Sequence, residues 1–227
     1  MRQALQFLTI LPVPAPAMAP GRAAWAFAVV GALLGLCAAA VWGVKFGPLL
    51  IVMGLALVTG GLHEDGLADV CDAIRGHRTR EKMLEILKDS RIGAHGALAL
   101  IASFVFRWQA LAALQGDAWM RLPAVFGISR AVMVVLAGTT APVGSGLGRT
   151  FGESLPRGAV VVALAQVLLL AALSGWVAGP VLVGANGMSL LLLRWWFRRR
   201  LGGVTGDCLG CMCQVSEAVS LGVLACL

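Results

Sequence analysis

Residues 63–91 read HEDGLADVCDAIRGHRTREKMLEILKDSR and hold seven of the chain's eleven carboxylates: Glu64, Asp65, Asp69, Asp72, Glu81, Glu85 and Asp89. Asp65, Asp69 and Asp72 stand at i, i+4 and i+7, a spacing that puts three acids on one face of a helix. Like charges so placed repel one another in a bare helix. Keeping them together calls for a compensating cation, and hard carboxylate oxygens suit Mg²⁺. The competing explanation is a solvated helix whose acids pair with the Arg and Lys nearby. Three acids on one face, beside an apolar run in a charge-poor chain, favour the cation.

The same segment ends on the opposite charge. Lys88, Asp89, Ser90 and Arg91 close an amphipathic helix predicted over 81–89. Lys88 and Arg91 are candidates to hold phosphate oxygens, Arg with the better bidentate geometry. Asp89 could complete a metal site, and Gly93 and Gly96 would let backbone or substrate approach closely. Basic residues at a membrane boundary also serve as plain headgroup anchors. In Thr205-Gly206-Asp207, the acid either caps the last apolar helix or adds a carboxylate from across the bundle. His63, His77 and His95 form no H-E-x-x-H pattern. His63, next to Glu64 and Asp65, could assist a metal or a proton transfer, or be an ordinary polar residue. Phosphate-binding Walker, dinucleotide and G-x-S-x-G motifs are absent.

The elements that must position these groups are apolar. Of 227 residues 59% are hydrophobic and 13% charged, against roughly 45–50% and about 25% in ordinary soluble chains. So few charges cannot cover a water-facing surface, whereas the outside of a membrane bundle faces lipid. The chain is therefore expected to be an all-α integral membrane protein, a polytopic helical bundle forming one domain over 1–227. Apolar runs fall at about 23–44, 47–62, 92–114, 122–140, 159–178, 180–197 and 209–227. They predict seven transmembrane helices, or six if 47–62 or 180–197 is re-entrant. Gly31-x-x-x-Gly35 predicts a close helix contact. Glu217, Arg107 and Arg130 fall inside spans, where charges pair with one another or serve a function. The six cysteines form no repeated C-x-x-C pair and are expected to pack helices.

The net charge of +7 is dispersed in short linkers, which points to membrane orientation and not to nucleic acid. Alternating linkers put fourteen Arg and Lys on one side and only Lys45 and Arg121 on the other. By the positive-inside rule the N-terminus is cytoplasmic. The acidic/basic loop at 63–91 and the segment around 198–208 then share the cytoplasmic face, where they could build one catalytic site. Arg2 followed by LPVPAPAMAP makes a poor signal peptide, so the first span is expected to be retained.

Three function classes compete on these residues. A small transporter would gather its polar groups at mid-membrane along an Arg/Glu path and often shows repeats. A structural subunit gives no reason for the carboxylate face. A Mg²⁺-dependent enzyme acting on phosphate-containing substrates gathers its polar groups at one face, as 63–91 and 205–207 do.

The runs TGGLHEDGLADVCDA (59–73), LEILKDSRIGAHGALAL (84–100) and VTGDCLG (204–210), with Glu217, resemble the cobalamin synthase family, the adenosylcobinamide-GDP ribazoletransferases. FLTILPVP (7–14) and Ser129-Arg130 extend the likeness along most of the chain. The resemblance implies a polytopic inner-membrane enzyme, dependent on Mg²⁺. It would join adenosylcobinamide-GDP to α-ribazole, or to its 5′-phosphate, and release GMP. It implies Asp65, Asp69, Asp72 and Asp89 as metal and catalytic residues, with Glu64 and Asp207 as further metal ligands. Lys88 and Arg91 would hold the diphosphate, with Arg130 a third phosphate contact. The implied partners are the two substrates and the bilayer, with a homo-oligomer or neighbouring pathway enzymes compatible with a site on the cytoplasmic side.

Overall fold

The computed structural model describes residues 1–15, 19–76 and 78–227, so His77 and part of the Pro-rich stretch lie outside the described residues. Every apolar run is helical, because a backbone out of reach of water must satisfy its own hydrogen bonds. The chain begins with α1 (Arg2–Leu8), then α2 (Phe27–Trp42), entered through a 3₁₀ segment at Pro20–Ala26, and α3 (Gly47–Val58). The acidic stretch forms α4 (Leu62–Ile74) and α5 (Arg80–Ile86). There follow α6 (Ala94–Ala112), α7 (Ala118–Thr139), α8 (Leu147–Glu153), α9 (Ala159–Leu173), α10 (Ala178–Leu201) and α11 (Gly206–Ala225). Among the described residues the β structure is one isolated bridge between Pro142 and Val204. Around it Val143 N–H donates to the Val204 carbonyl (2.9 Å) and Val204 N–H to that of Ala141 (3.0 Å).

Three helical stretches are long and apolar enough to cross a membrane: Pro20–Trp42, Ala118–Thr139 and Gly206–Ala225. The α3–α4 pair, bent by 88°, adds a fourth if it forms one broken crossing. By length and apolarity among the described residues three or four stretches qualify as spans, and the expected count of seven is not confirmed. The expected run 47–62 stops at Val58 because Gly60 and Gly61 adopt φ of +64° and +69°, a left-handed conformation that glycine takes without strain. That turn swings α4 away from the axis of α3.

The packing centre is α7, buried along most of its length between α2, α9 and α11. Gly31 and Gly35 of α2 press against it so closely that a Cβ on either would run into the carbonyl oxygens of Phe126 and Leu122. This is the contact predicted from their spacing, and it lets two backbones meet where lipid supplies no hydrophobic drive between helices.

A buried ion-pair network crosses the bundle. Arg107 of α6 bonds Glu217 of α11 (3.0 Å) and Glu64 of α4 (3.4 Å), and Arg130 of α7 also bonds Glu217. Gln214 donates to Glu64 (3.0 Å). Two arginines and two glutamates balance in charge, as removal from water demands. At one end of the bundle Arg200 of α10 reaches the Arg78 carbonyl (3.5 Å), and a Cβ on Gly202 would touch the Arg80 guanidinium. The two polar segments that the charge map assigns to one face are therefore neighbours.

Candidate active site

Where α4 crosses α11, a Cβ on Gly66 would stand 2.7 Å from the Asp207 carbonyl oxygen and 3.1 Å from Gly210 Cα. Only two glycines allow this approach, and it brings Asp65 and Asp207, each next in sequence to the crossing or one turn from it, onto one cavity. The cavity holds about 450 Å³. Gln6, His63, Asp65, Lys88, Ser145, Thr205 and Asp207 supply its polar lining, while side chains such as Phe7, Phe27, Phe151, Met133 and Leu209 supply its apolar lining. The bridge between Pro142 and Val204 ties the 140–148 loop to the entrance of α11, so Gly144, Ser145 and Gly148 also line it. A Cβ on Gly148 would collide with the Gly206 backbone. Thr205 caps α11 through Cys208 N–H (3.4 Å) and its hydroxyl donates to Asp207 (3.1 Å).

Asp65, Asp69 and Asp72 all lie on α4, as their spacing predicted. Asp65 is exposed and lines both this cavity and a second, adjoining one with Asp69, Glu64 and Ser90. Asp69 lies within electrostatic reach of Asp65, Asp207, Asp72 and Asp89. Asp72 has a different position. Its two carboxylate oxygens accept the N–H groups of Gly93 (2.7 Å) and Gly96 (2.9 Å), so it caps the start of α6. The absence of a Cβ at Gly93 and Gly96 is what admits the carboxylate, since a Cβ at either would overlap it. The close approach expected at these glycines is therefore made by Asp72.

The helix predicted over 81–89 ends at Ile86, leaving Lys88, Asp89 and Arg91 in the following turn. Lys88 reaches the cavity. Arg91 folds back on Asp89 instead, with Nε 2.9 Å from Oδ1 and Nη2 2.6 Å from Oδ2. This hydrogen-bonded guanidinium, helped by the Arg91 backbone N–H, holds the Asp89 carboxyl down at about 2. Both residues are accessible, but they are joined to each other. Glu64 and Arg130, expected at metal and at phosphate, are buried and bonded within the ion-pair network. The intramembrane Arg and Glu that suggested a transport path are thus partners of one another.

Asp65 lines this cavity with Asp207 and the adjoining one with Asp69, and carboxylate oxygens are the donors that a hard divalent cation takes. Among the described residues no three His, Cys, Asp or Glu side chains converge as a finished metal site.

The sequence pattern of the family described as "Cobalamin-5-phosphate synthase" matches residues 1–225. The chain belongs to this family. Among cobalamin-5-phosphate synthase relatives, an adenosylcobinamide-GDP ribazoletransferase of Bradyrhizobium diazoefficiens is 40% identical over 99% of this chain and 92% of its own length. One of Herpetosiphon aurantiacus is 37% identical over 100% and 96%, and one of Roseiflexus sp. 38% identical over 98% and 87%. No solved structure matches the chain.

Two features of this family member's cavity escape sequence reasoning. His63 is buried to 1% exposure, although its acidic neighbours in sequence suggested a polar loop. Phe7, Phe27 and Phe151 form one stacked wall from three separate elements. The available hint was the Gly-rich GSGLG at 144–148, whose turns carry Phe151 and α8 against α11.

Proposed function

We propose that the chain transfers the adenosylcobinamide-phosphate moiety of adenosylcobinamide-GDP to α-ribazole or its 5′-phosphate, releasing GMP. The observation that carries this is the single cavity where Asp65 and Asp207 face Lys88 beside a deep apolar lining. It offers acids and a base at the rim and room for large apolar groups within. Near-full-length similarity to relatives bearing the transferase name supports it.

In this proposal the ribazole hydroxyl oxygen attacks the phosphorus on the cobinamide side of the diphosphate. A new P–O bond forms, the bond to the bridging oxygen breaks, and GMP departs with that oxygen. The hydroxyl proton passes to whichever rim carboxylate, Asp65 or Asp207, keeps an oxygen free of metal. Lys88 neutralises negative charge on the diphosphate as it is redistributed. Asp65, Asp69 and Asp207 would hold Mg²⁺, whose charge would stabilise the leaving phosphate. The Gly66–Gly210 contact keeps the two rim carboxylates in register.

We further place the protein in the inner membrane with the cavity on the cytoplasmic side, supported by the fourteen-to-two charge split. A count of seven crossings would take α6 and α10, with 19 and 24 residues, and the shorter apolar α9 besides the three long apolar stretches and the bent α3–α4 pair.

The test is GMP release and cobalamin formation from adenosylcobinamide-GDP plus α-ribazole by the purified protein in lipid, with and without Mg²⁺. Product that requires both substrates supports the assignment. A folded protein that gives no product with either form of ribazole overturns it.

A further inference from the structure

We propose that the C-terminal end of α10, with the start of α5 beside it, binds the headgroup of an anionic phospholipid whose acyl chains lie along an exposed apolar stripe of α10. The site lies outside both cavities, and the proposal does not depend on the transferase reading.

Arg198, Arg199 and Arg200 form the last turn of α10, and the fold brings Arg78 and Arg80 to that end. Arg200 Nη2 donates to the Arg78 carbonyl (3.5 Å), 122 positions away, and a Cβ on Gly202 would stand 2.9 Å from the Arg80 guanidinium. Arg78 Nη1 donates to a backbone carbonyl, that of Asp72 (2.8 Å), and not to its carboxylate. Among the described residues no ion pair joins any of these five arginines to a carboxylate. Neighbouring cations are matched, Lys82 by Glu85 and Arg91 by Asp89. A cation in the last turn complements the helix dipole, but five without a counter-ion exceed that need. An anion from outside the chain would supply the missing charge, and guanidinium groups suit phosphate oxygens.

The face of α10 that leads to these arginines says which phosphate. Met188, Leu192, Trp195 and Arg199 follow at i, i+4, i+7 and i+11, so they share one side of the helix. Met188, Leu192 and Trp195 are 58%, 57% and 59% exposed. The Arg199 guanidinium stands 5.6 Å from the centre of the Trp195 ring. Tryptophan beside arginine at the end of an apolar helix marks the level of lipid headgroups, where basic residues attract anionic lipids. A phosphate held there would carry its acyl chains down Trp195, Leu192 and Met188. A soluble phosphate or an acidic protein would use the arginines and leave the stripe bare.

The experiment measures, by electron paramagnetic resonance, the association of spin-labelled phosphatidylglycerol and phosphatidylcholine with the full chain in phosphatidylcholine vesicles at physiological salt. Phosphatidylglycerol is expected to associate at least about fivefold more strongly, the worth of one interfacial cation. Joint Arg198→Gln and Arg199→Gln should bring the ratio close to one, and joint Arg198→Lys and Arg199→Lys should keep most of it. Both residues are exposed, so these variants should fold, and Arg80, exposed on the other segment, gives an independent reading. Arg80→Gln should lower the ratio about two- to fivefold. Joint Arg22→Gln and Arg157→Gln removes the same charge from the same side of the charge map and should leave the ratio within about twofold, since separated charges are screened. Excess glycerol phosphate should leave the lipid bound. Equal association of the two lipids with the native chain would overturn the proposal and leave the arginines to an acidic protein. An equal fall in the Arg22 and Arg157 control would overturn it in favour of the diffuse charge of this face. Displacement by glycerol phosphate would overturn it in favour of a soluble phosphate.

Discussion

Gly66 and Gly210 meet backbone to backbone at the crossing of α4 and α11, and a Cβ on Gly210 would in turn lie 3.3 Å from the Cα atoms of Gly66 and His63. That approach fixes the distance between helices that carry Asp65 and Asp207. Gly66→Ala should push them apart. Overpacking of this kind costs about 1–3 kcal/mol, and GMP release should fall at least about tenfold because misplacement near the chemistry is punished steeply. Gly54→Ala is the control, since its Cβ would enter open space and should leave activity and melting temperature nearly unchanged. Activity assays and thermal unfolding in detergent check both variants.

Asp65 and Asp72 share a helix face but meet different surroundings, and their amides test whether their roles differ. Asp65→Asn should lower kcat by about 10²-fold or more, as removal of a preorganised charged group does, with little change in melting temperature. Asp72→Asn weakens the cap on α6, whose donors are Gly93 and Gly96 N–H. It should cost about 1–3 kcal/mol of stability, with the smaller loss of kcat. A reversed pattern would return Asp72 to the catalytic set.

Glu217 joins Arg107 and Arg130 inside the bundle. Glu217→Gln leaves two buried guanidinium groups with one carboxylate, Glu64, for partner. Breaking a buried pair costs about 3–5 kcal/mol, so the melting temperature should fall sharply. In the protein that remains folded, the KM for adenosylcobinamide-GDP should be close to native. A selective rise in that KM for Arg130→Gln would instead restore Arg130 as a phosphate contact.

Asp89 gives a prediction about pH. Its folded pKa of about 2 lies below the unfolded value of about 3.9, so its contribution to stability is complete above the latter and fades as pH falls through the former. Between pH 4 and 9 it stays ionised. Asp89→Asn should therefore lower the pH–rate curve without moving its acid limb. A shifted acid limb in that variant would mean that Asp89 titrates in the working range.

Ser90 and Gly202 lie on segments that meet at one end of the bundle. Single cysteines placed at each, in a variant without the native cysteines, should react with an impermeant thiol reagent from the cytoplasmic side of inverted vesicles. Labelling of both from the opposite side would reverse the orientation.

The amino-acid sequence by itself determined the helical class, the places of the apolar runs, the shared face of Asp65, Asp69 and Asp72, and the Gly31–Gly35 contact. These follow from local rules: a buried backbone bonds within its own helix, and a period of 3.6 residues decides which side chains share a face. Family membership was legible for the same reason, since its motifs are contiguous runs. Tertiary structure alone decided which partner each face meets. Glu64 lies next to Asp65 in sequence, yet it turns inward to Arg107, 43 positions away, while Asp65 opens on the cavity. Asp72 is drawn to the α6 backbone, and His63 is buried where α4 crosses α11. Helical periodicity places a residue around its own axis only. The glycine turn at 60–61 and the glycine crossing at 66 and 210 set where that axis runs and what stands opposite it.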